Sequence, residues 1–141
     1  MEIRRVTDRF SVSPQIAPGD VDALREHGFV LIVNNRPDGE EPGQISGDEI
    51  AAAAQAAGLA YRAIPVAGGF SDEQAAAMAE ALDTAEGPVF AFCRSGTRSA
   101  LLWSLAQALR GEDPMAISQA AAGAGYDLAP VRDALERLAI S

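Results

Sequence analysis

The chain has 141 residues and a net charge of −9, and 48% of its residues are hydrophobic. That length suits one domain spanning residues 1–141, while an acidic chain with no basic stripe excludes nucleic acid and membrane surfaces as partners. A single cysteine and a single histidine exclude an internal disulfide and an ordinary zinc site, so neither metal nor cofactor is expected. Much of the apolar content is alanine, which leaves the core to a few Leu, Ile, Val and Phe. All the basic residues are arginine, from which no function follows. Met1–Arg5 carries no apolar run of signal-peptide length, and no stretch approaches a membrane span. With a lone thiol suited to a reducing compartment, this predicts a cytoplasmic protein.

In chain order, Ile3–Val6 and Phe10–Val12 alternate as a short strand or hairpin. Pro18 through His27 reads as a helix ending at Gly28, where glycine takes the left-handed cap; His27 then faces the helix C-terminus. Phe29–Val33 is a continuous apolar run, as in a strand covered on both faces. It empties into the polar loop Asn34-Asn35-Arg36-Pro37-Asp38-Gly39-Glu40. Ser46-Gly47-Asp48-Glu49 is a capping box opening a helix to Ala57, closed by Gly58. Leu59–Val66 supplies another strand, broken by Pro65 and Gly68-Gly69. Ser71-Asp72-Glu73-Gln74 repeats the capping box before a helix through Leu82. Pro88–Phe92 is the next strand, and the helix after it runs to about Arg110 with Leu101, Leu105, Ala108 and Leu109 on one face. Segments near Met115–Ala122 and Val131–Leu138 complete the helices. Strands alternating with helices predict an α/β fold with a mostly parallel central sheet flanked by helices. Ligands of such sheets sit beyond the carboxyl ends of the strands, so the loops Asn34–Glu40 and Cys93–Ser99 belong on one rim.

The segment Phe92-Cys93-Arg94-Ser95-Gly96-Thr97-Arg98-Ser99 carries the chemistry. A thiol at the end of a strand, followed by small residues opening a helix, meets inward-turned amides and a helix dipole, which favour the thiolate. Arg94 and Arg98 add cationic charge, and two guanidiniums in one turn call for an anion between them. Cys93 is the candidate nucleophile, Arg98 the candidate anchor of an anionic group, and Arg94, Ser95, Gly96 and Thr97 the cradle. A buried structural cysteine is the competing interpretation. Ser99 either donates to the thiolate or caps the helix. Arg36 and Asp38 either reach this pocket from the neighbouring strand or stay in a solvated turn. Trp103 lies half a turn from the Leu101/Leu105 face, facing either a partner or a C-terminal helix.

Ser13-Pro14-Gln15, the Asn34–Glu40 loop, Ile64-Pro65-Val66 and the cysteine loop together resemble the phosphatase-like domain of bacterial beta-lactamase-hydrolase-like proteins. The resemblance implies a dual-specificity-phosphatase-like fold. In that family the domain is fused to a metallo-hydrolase-type domain linked to persulfide oxidation, and it has been regarded as a sulfurtransferase. The Cys-Arg-Ser-Gly-Thr-Arg stretch also resembles the active-site loop of rhodaneses. Tyrosine phosphatases place five residues between nucleophile and arginine, whereas four separate Cys93 from Arg98. Counting to Ser99 restores five, but serine offers no bidentate fork. The loop where dual-specificity phosphatases keep a general acid reads Ala67-Gly68-Gly69-Phe70, with no carboxylate before Asp72, itself suited to a helix dipole. Asp38 is the substitute acid if its loop folds over Cys93.

These departures put sulfur transfer through a Cys93 persulfide first. Its partners are a small anionic donor (thiosulfate or a persulfide), a thiol acceptor, and a persulfide-oxidising enzyme. The alternative is a phosphatase using Cys93 with Asp38 as acid, and a third reading is a non-enzymatic module that senses anions or persulfides.

Overall fold

The computed structural model describes residues 1–140. Five strands, β1 (Arg4–Thr7), β2 (Phe10–Ser13), β3 (Leu31–Asn34), β4 (Ala60–Ala63) and β5 (Val89–Phe92), form one sheet in the order β1-β2-β5-β3-β4. Only β1 runs antiparallel, paired to β2 across a register shift between Arg5 and Thr7. The remaining pairs are parallel, so the α/β expectation of a mostly parallel sheet holds. β5 lies at the centre, in register with β2 on one side and β3 on the other, with Phe92 opposite both Ser13 and Asn34. That pairing delivers the Cys93 loop and the 35–46 loop to one rim.

The helices are α1 (Val21–Glu26), α2 (Gly47–Ala57), α3 (Asp72–Thr84), α4 (Thr97–Leu109), α5 (Pro114–Gly123) and α6 (Arg132–Ala139). Both capping boxes form as read: Ser46 with Glu49 at α2 and Ser71 with Gln74 at α3. Pro18–His27 divides into a 3-10 turn at Pro18–Asp20 followed by α1. His27 Nδ1 meets Ala23 O at 2.7 Å at the end of α1.

The expected strand Leu59–Val66 pairs only over Ala60–Ala63. Beyond it the chain still bonds to the end of β3, through Ile64 N to Asn34 O and Val66 N to Asn35 O.

Each face of the sheet carries its own core. One gathers Ile16, Leu24, Ile32, Ile50, Phe90 and Phe92 under α1 and α2. The other gathers Phe10, Val33, Met78, Leu102, Trp103 and Leu135 under α3, α4 and α6. The single apolar face expected of α4 is corrected here. Residues Ser99–Ala106 and Ala108 are all buried, because α4 is wedged among the sheet, α3, α5 and α6, whereas Leu109 at its end is 36% exposed. Trp103 is buried and stacks on Phe10 with centroids 5.5 Å apart. It is core, not a partner face. No helix among the described residues is long and apolar enough to cross a membrane.

Candidate active site

Cys93 sits one residue beyond β5, and α4 begins four residues later at Thr97. The turn between them is made by Gly96 at φ +92°, the left-handed region that side chains resist. In that conformation the Gly96 amide donates to Cys93 Sγ at 3.0 Å. The space around Gly96 enforces the same choice, since a Cβ there would come within 2.5 Å of Tyr126 Oη. Tyr126 Oη accepts a hydrogen bond from Arg4 Nη1 at 2.8 Å. On the β2 side, Cys93 N donates to Ser13 O and Gln15 N donates to Arg94 O. The loop is thus held from both flanks, with the first amides of α4 lacking intrahelical acceptors at its mouth.

The sulfur is fully covered, while Arg94, Ser95 and Thr97 are exposed around it. Ser99 stands in the first turn of α4, past the N-cap at Gly96, so it is not the cap. Its hydroxyl is buried without a hydrogen-bond partner, as is Asn35 Oδ1.

Arg98 is gripped along one edge of its guanidinium. Nη1 donates to Glu40 Oε2 and to Val66 O, both at 2.7 Å, and Nη2 donates to Glu40 Oε1 at 2.8 Å. The hydrogen bonds to Glu40 raise the Arg98 pKa against the opposing effect of burial, and Cys93 adds a further attraction. Glu40 is held at about 2, first by Arg98, against burial, and then by Arg36. It is therefore a carboxylate at any working pH, unable to donate a proton.

The 35–46 loop does fold toward the cysteine loop, but through residues other than Asp38. Arg36 has a side chain only 2% exposed, and it donates through Nε to Glu40 Oε1, through Nη2 to Glu41 Oε1 and through Nη1 to Gln15 Oε1. Glu41 also lies 3.7 Å from Arg94, whose side chain is 66% exposed. Asp38 instead accepts from Gly47 N at 2.8 Å and helps line a cleft of about 260 Å³ with Tyr61, Asn34 and Pro65. Burial raises the Tyr61 pKa there, and Asp38 and Asp48 reinforce it. Asp72 is paired with Arg137 at 2.8 Å.

Of the residues singled out from sequence, the structure brings together Cys93, Gly96, Arg98, Arg94, Ser95, Thr97 and Arg36, and places Asp38 at the start of α2. Glu40 and Glu41 were the missed members. The signal for them was the unexplained pair of arginines, whose required counter-charge is here partly supplied from within the chain. Among the described residues, no group of three His, Cys, Asp or Glu is arranged to hold a metal ion.

Comparison with known proteins agrees with this architecture. A putative phosphatase from Neisseria meningitidis Z2491 is 30% identical, superposes with a TM-score of 0.82, and is matched over 98% of this chain and 99% of its own. TpbA of P. aeruginosa, solved in complex with pTyr, shares the fold at TM-score 0.65 with 19% identity, over 98% of this chain and 88% of its own. The beta-lactamase hydrolase-like protein of Agrobacterium fabrum is 38% identical over 97% of this chain, and that of Xylella fastidiosa strain 9a5c is 37% identical over 99%. The chain spans about a third of the length of these curated relatives. Residues 2–110 match the family model described as the phosphatase-like domain of beta-lactamase hydrolase-like protein, and the chain belongs to that family.

Proposed function

We propose that this domain is a cysteine-nucleophile phosphomonoesterase restricted to esters with good leaving groups. The observation that carries this reading is the Gly96 amide aimed at Cys93 Sγ with Arg98 fixed alongside. That pairing suits a thiolate attacking next to a bound oxyanion. Its phosphatase relatives support the same chemistry. The Cys93 thiolate attacks phosphorus, a P–S bond forms, the P–O bond to the leaving group breaks, and water later hydrolyses the thiophosphate. Arg98 and the loop amides hold the non-bridging oxygens. Because the thiol is fully covered, side chains over the loop must part for the substrate to enter.

No carboxylic acid stands ready for the departing oxygen. Glu40 is ionised, Asp72 is tied to Arg137, and Asp38 would serve only after giving up Gly47 N. Aryl phosphates should therefore turn over and alkyl phosphates scarcely at all. The test is release of p-nitrophenol from its phosphate ester, which Cys93→Ser should abolish. Equal rates in wild type and Cys93→Ser would eliminate the reading.

Sulfane-sulfur transfer is the second reading, favoured by the four-residue interval between Cys93 and Arg98. A single sulfur needs a smaller ring of donors than a phosphoryl group, and sulfite leaves without an acid. Here Cys93 attacks the outer sulfur of thiosulfate or a persulfide, the S–S bond to the leaving group breaks, and an acceptor thiolate collects the sulfur from the Cys93 persulfide. A persulfide-oxidising enzyme would then be the natural consumer. Intact-mass spectrometry separates the two readings: a phosphoryl gain from the ester, or a one-sulfur gain from thiosulfate. Persulfidation that stops at one equivalent without turnover would instead mark a sensing module.

A further inference from the structure

We infer that Arg36 is a positioning residue that sets the geometry of the cysteine loop's anion site through Glu40 and Glu41. The inference rests on the reading above in one respect, that Arg98 binds the substrate's anionic group.

A guanidinium with a 2% exposed side chain is costly to keep unless its nitrogens find partners. Here each of the three does. Nη1 reaches the Gln15 side chain, and the Gln15 backbone N–H donates to Arg94 O in the cysteine loop. Nε reaches Glu40 and Nη2 reaches Glu41. The backbone beneath is pinned as well, by Arg36 N to Asn34 Oδ1 and by Asn35 N to Phe92 O at the end of β5.

Arg36 thus ties the segment after β2 to the 35–46 loop, next to the backbone bond by which Asn35 holds that loop to the end of β5. Glu40 Oε1 receives Arg36 Nε at 2.9 Å and Arg98 Nη2 at 2.8 Å, so one oxygen transmits the placement of the buried arginine to the catalytic one. With Val66 O fixing the rest of Nη1, Glu40 occupies the Nη1–Nη2 edge of Arg98. The Nε–Nη2 edge is left in a defined direction for an incoming anion. Burial works against the Arg36 charge, but the bonds to Glu41 and Glu40 outweigh it and its pKa is raised. The arginine therefore stays charged and forked throughout.

Lysine keeps the charge but cannot hold three partners in a planar fork. The experiment is calorimetric titration of the full chain with sodium tungstate, an inert oxyanion. Arg36→Lys should weaken tungstate binding about tenfold, since charge-assisted, geometry-dependent hydrogen bonds are lost at the site. In a Glu40→Gln/Glu41→Gln background the same change should cost less than about twofold, because the route of transmission is already cut. An equal loss in both backgrounds would mean that Arg36 acts only as a structural residue, and would overturn the inference. If Arg36→Lys does not fold, Gln15→Met, which releases Arg36 Nη1 together with the local bond from Gln15 Nε2 to Ile16 O, should weaken tungstate about threefold; an unchanged affinity overturns the inference. Arg98→Lys is the parallel control. If tungstate ignores it, the anion-site reading itself fails and this one with it. If Arg98→Lys weakens binding but Arg36→Lys does not, only the positioning role is lost.

Discussion

Gly96→Ala should damage both stability and chemistry, by amounts the geometry separates. At φ +92° an alanine takes on left-handed strain of about 1–2 kcal/mol. Its methyl would also sit 2.5 Å from Tyr126 Oη. Tyr126 is buried and its hydroxyl is held by Arg4, so relief requires breaking that bond or shifting the loop. Overpacking of this kind costs about 1–3 kcal/mol, giving roughly 2–5 kcal/mol in total.

Urea unfolding of Gly96→Ala, Tyr126→Phe and the double variant isolates the second contribution. Removing the hydroxyl opens the space, so the double variant should be less destabilised than the sum of the singles by about 1–3 kcal/mol. Because the donor to Sγ moves, p-nitrophenol release should fall about tenfold or more in Gly96→Ala. Additive costs would show that the hydroxyl is not what confines this turn, and an undiminished rate would show that the Gly96 amide does not assist the sulfur.

The Glu40 carboxyl falls from an ordinary 4.5 to about 2 in the fold, so its contribution to stability is complete above the unfolded value and disappears as pH drops from 4.5 to 2. Acid titration of unfolding should accordingly be shallower in Glu40→Gln over that window, and identical slopes would remove the assigned pairing. Asp72→Asn should leave hydrolysis unchanged and barely move the urea midpoint, because its partner Arg137 is solvent-exposed and the pair is screened by water; a collapse in rate for alkyl or aryl phosphates would make Asp72 the acid. Trp103→Ala should cost about 3–5 kcal/mol in chemical denaturation, since it removes a buried ring stacked on Phe10. A near-neutral result would return Trp103 to the surface.

The layered sheet was legible because its apolar runs are short, bounded by glycine and proline, and separated by two capping boxes. The shared rim followed from parallel strands ending in polar loops. Harder to see was the role of α4, where alanine and serine at nearly every intervening position allow close packing on all sides, so no single face declares itself. The least legible feature was the polar cover of the site. Arg36 lies between a strand and a Pro-Asp-Gly turn, where a charged residue is ordinarily solvated. Its burial depends on Glu40 and Glu41 folding back from its own loop and on Gln15 arriving from the segment after β2, a convergence that no local pattern encodes. Asp38, closer to the turn, looked the better acid; the start of α2 claims its oxygen instead. Ser99 fills neither of the two roles its position suggests: the left-handed Gly96 starts the helix earlier, and the Ser99 hydroxyl makes no hydrogen bond to the sulfur.

The central place of β5 divides the motions open to this domain. A strand hydrogen-bonded on both sides exchanges its amide protons only when the sheet comes apart, whereas the 35–46 loop is secured mainly by side chains and can fray on its own. Deuterium uptake should therefore be slow through Phe90 and Ala91 and fast around Gly39 to Gly43. The nucleophile's footing would then share the lifetime of the whole fold, while its covering loop opens and recloses many times within that span.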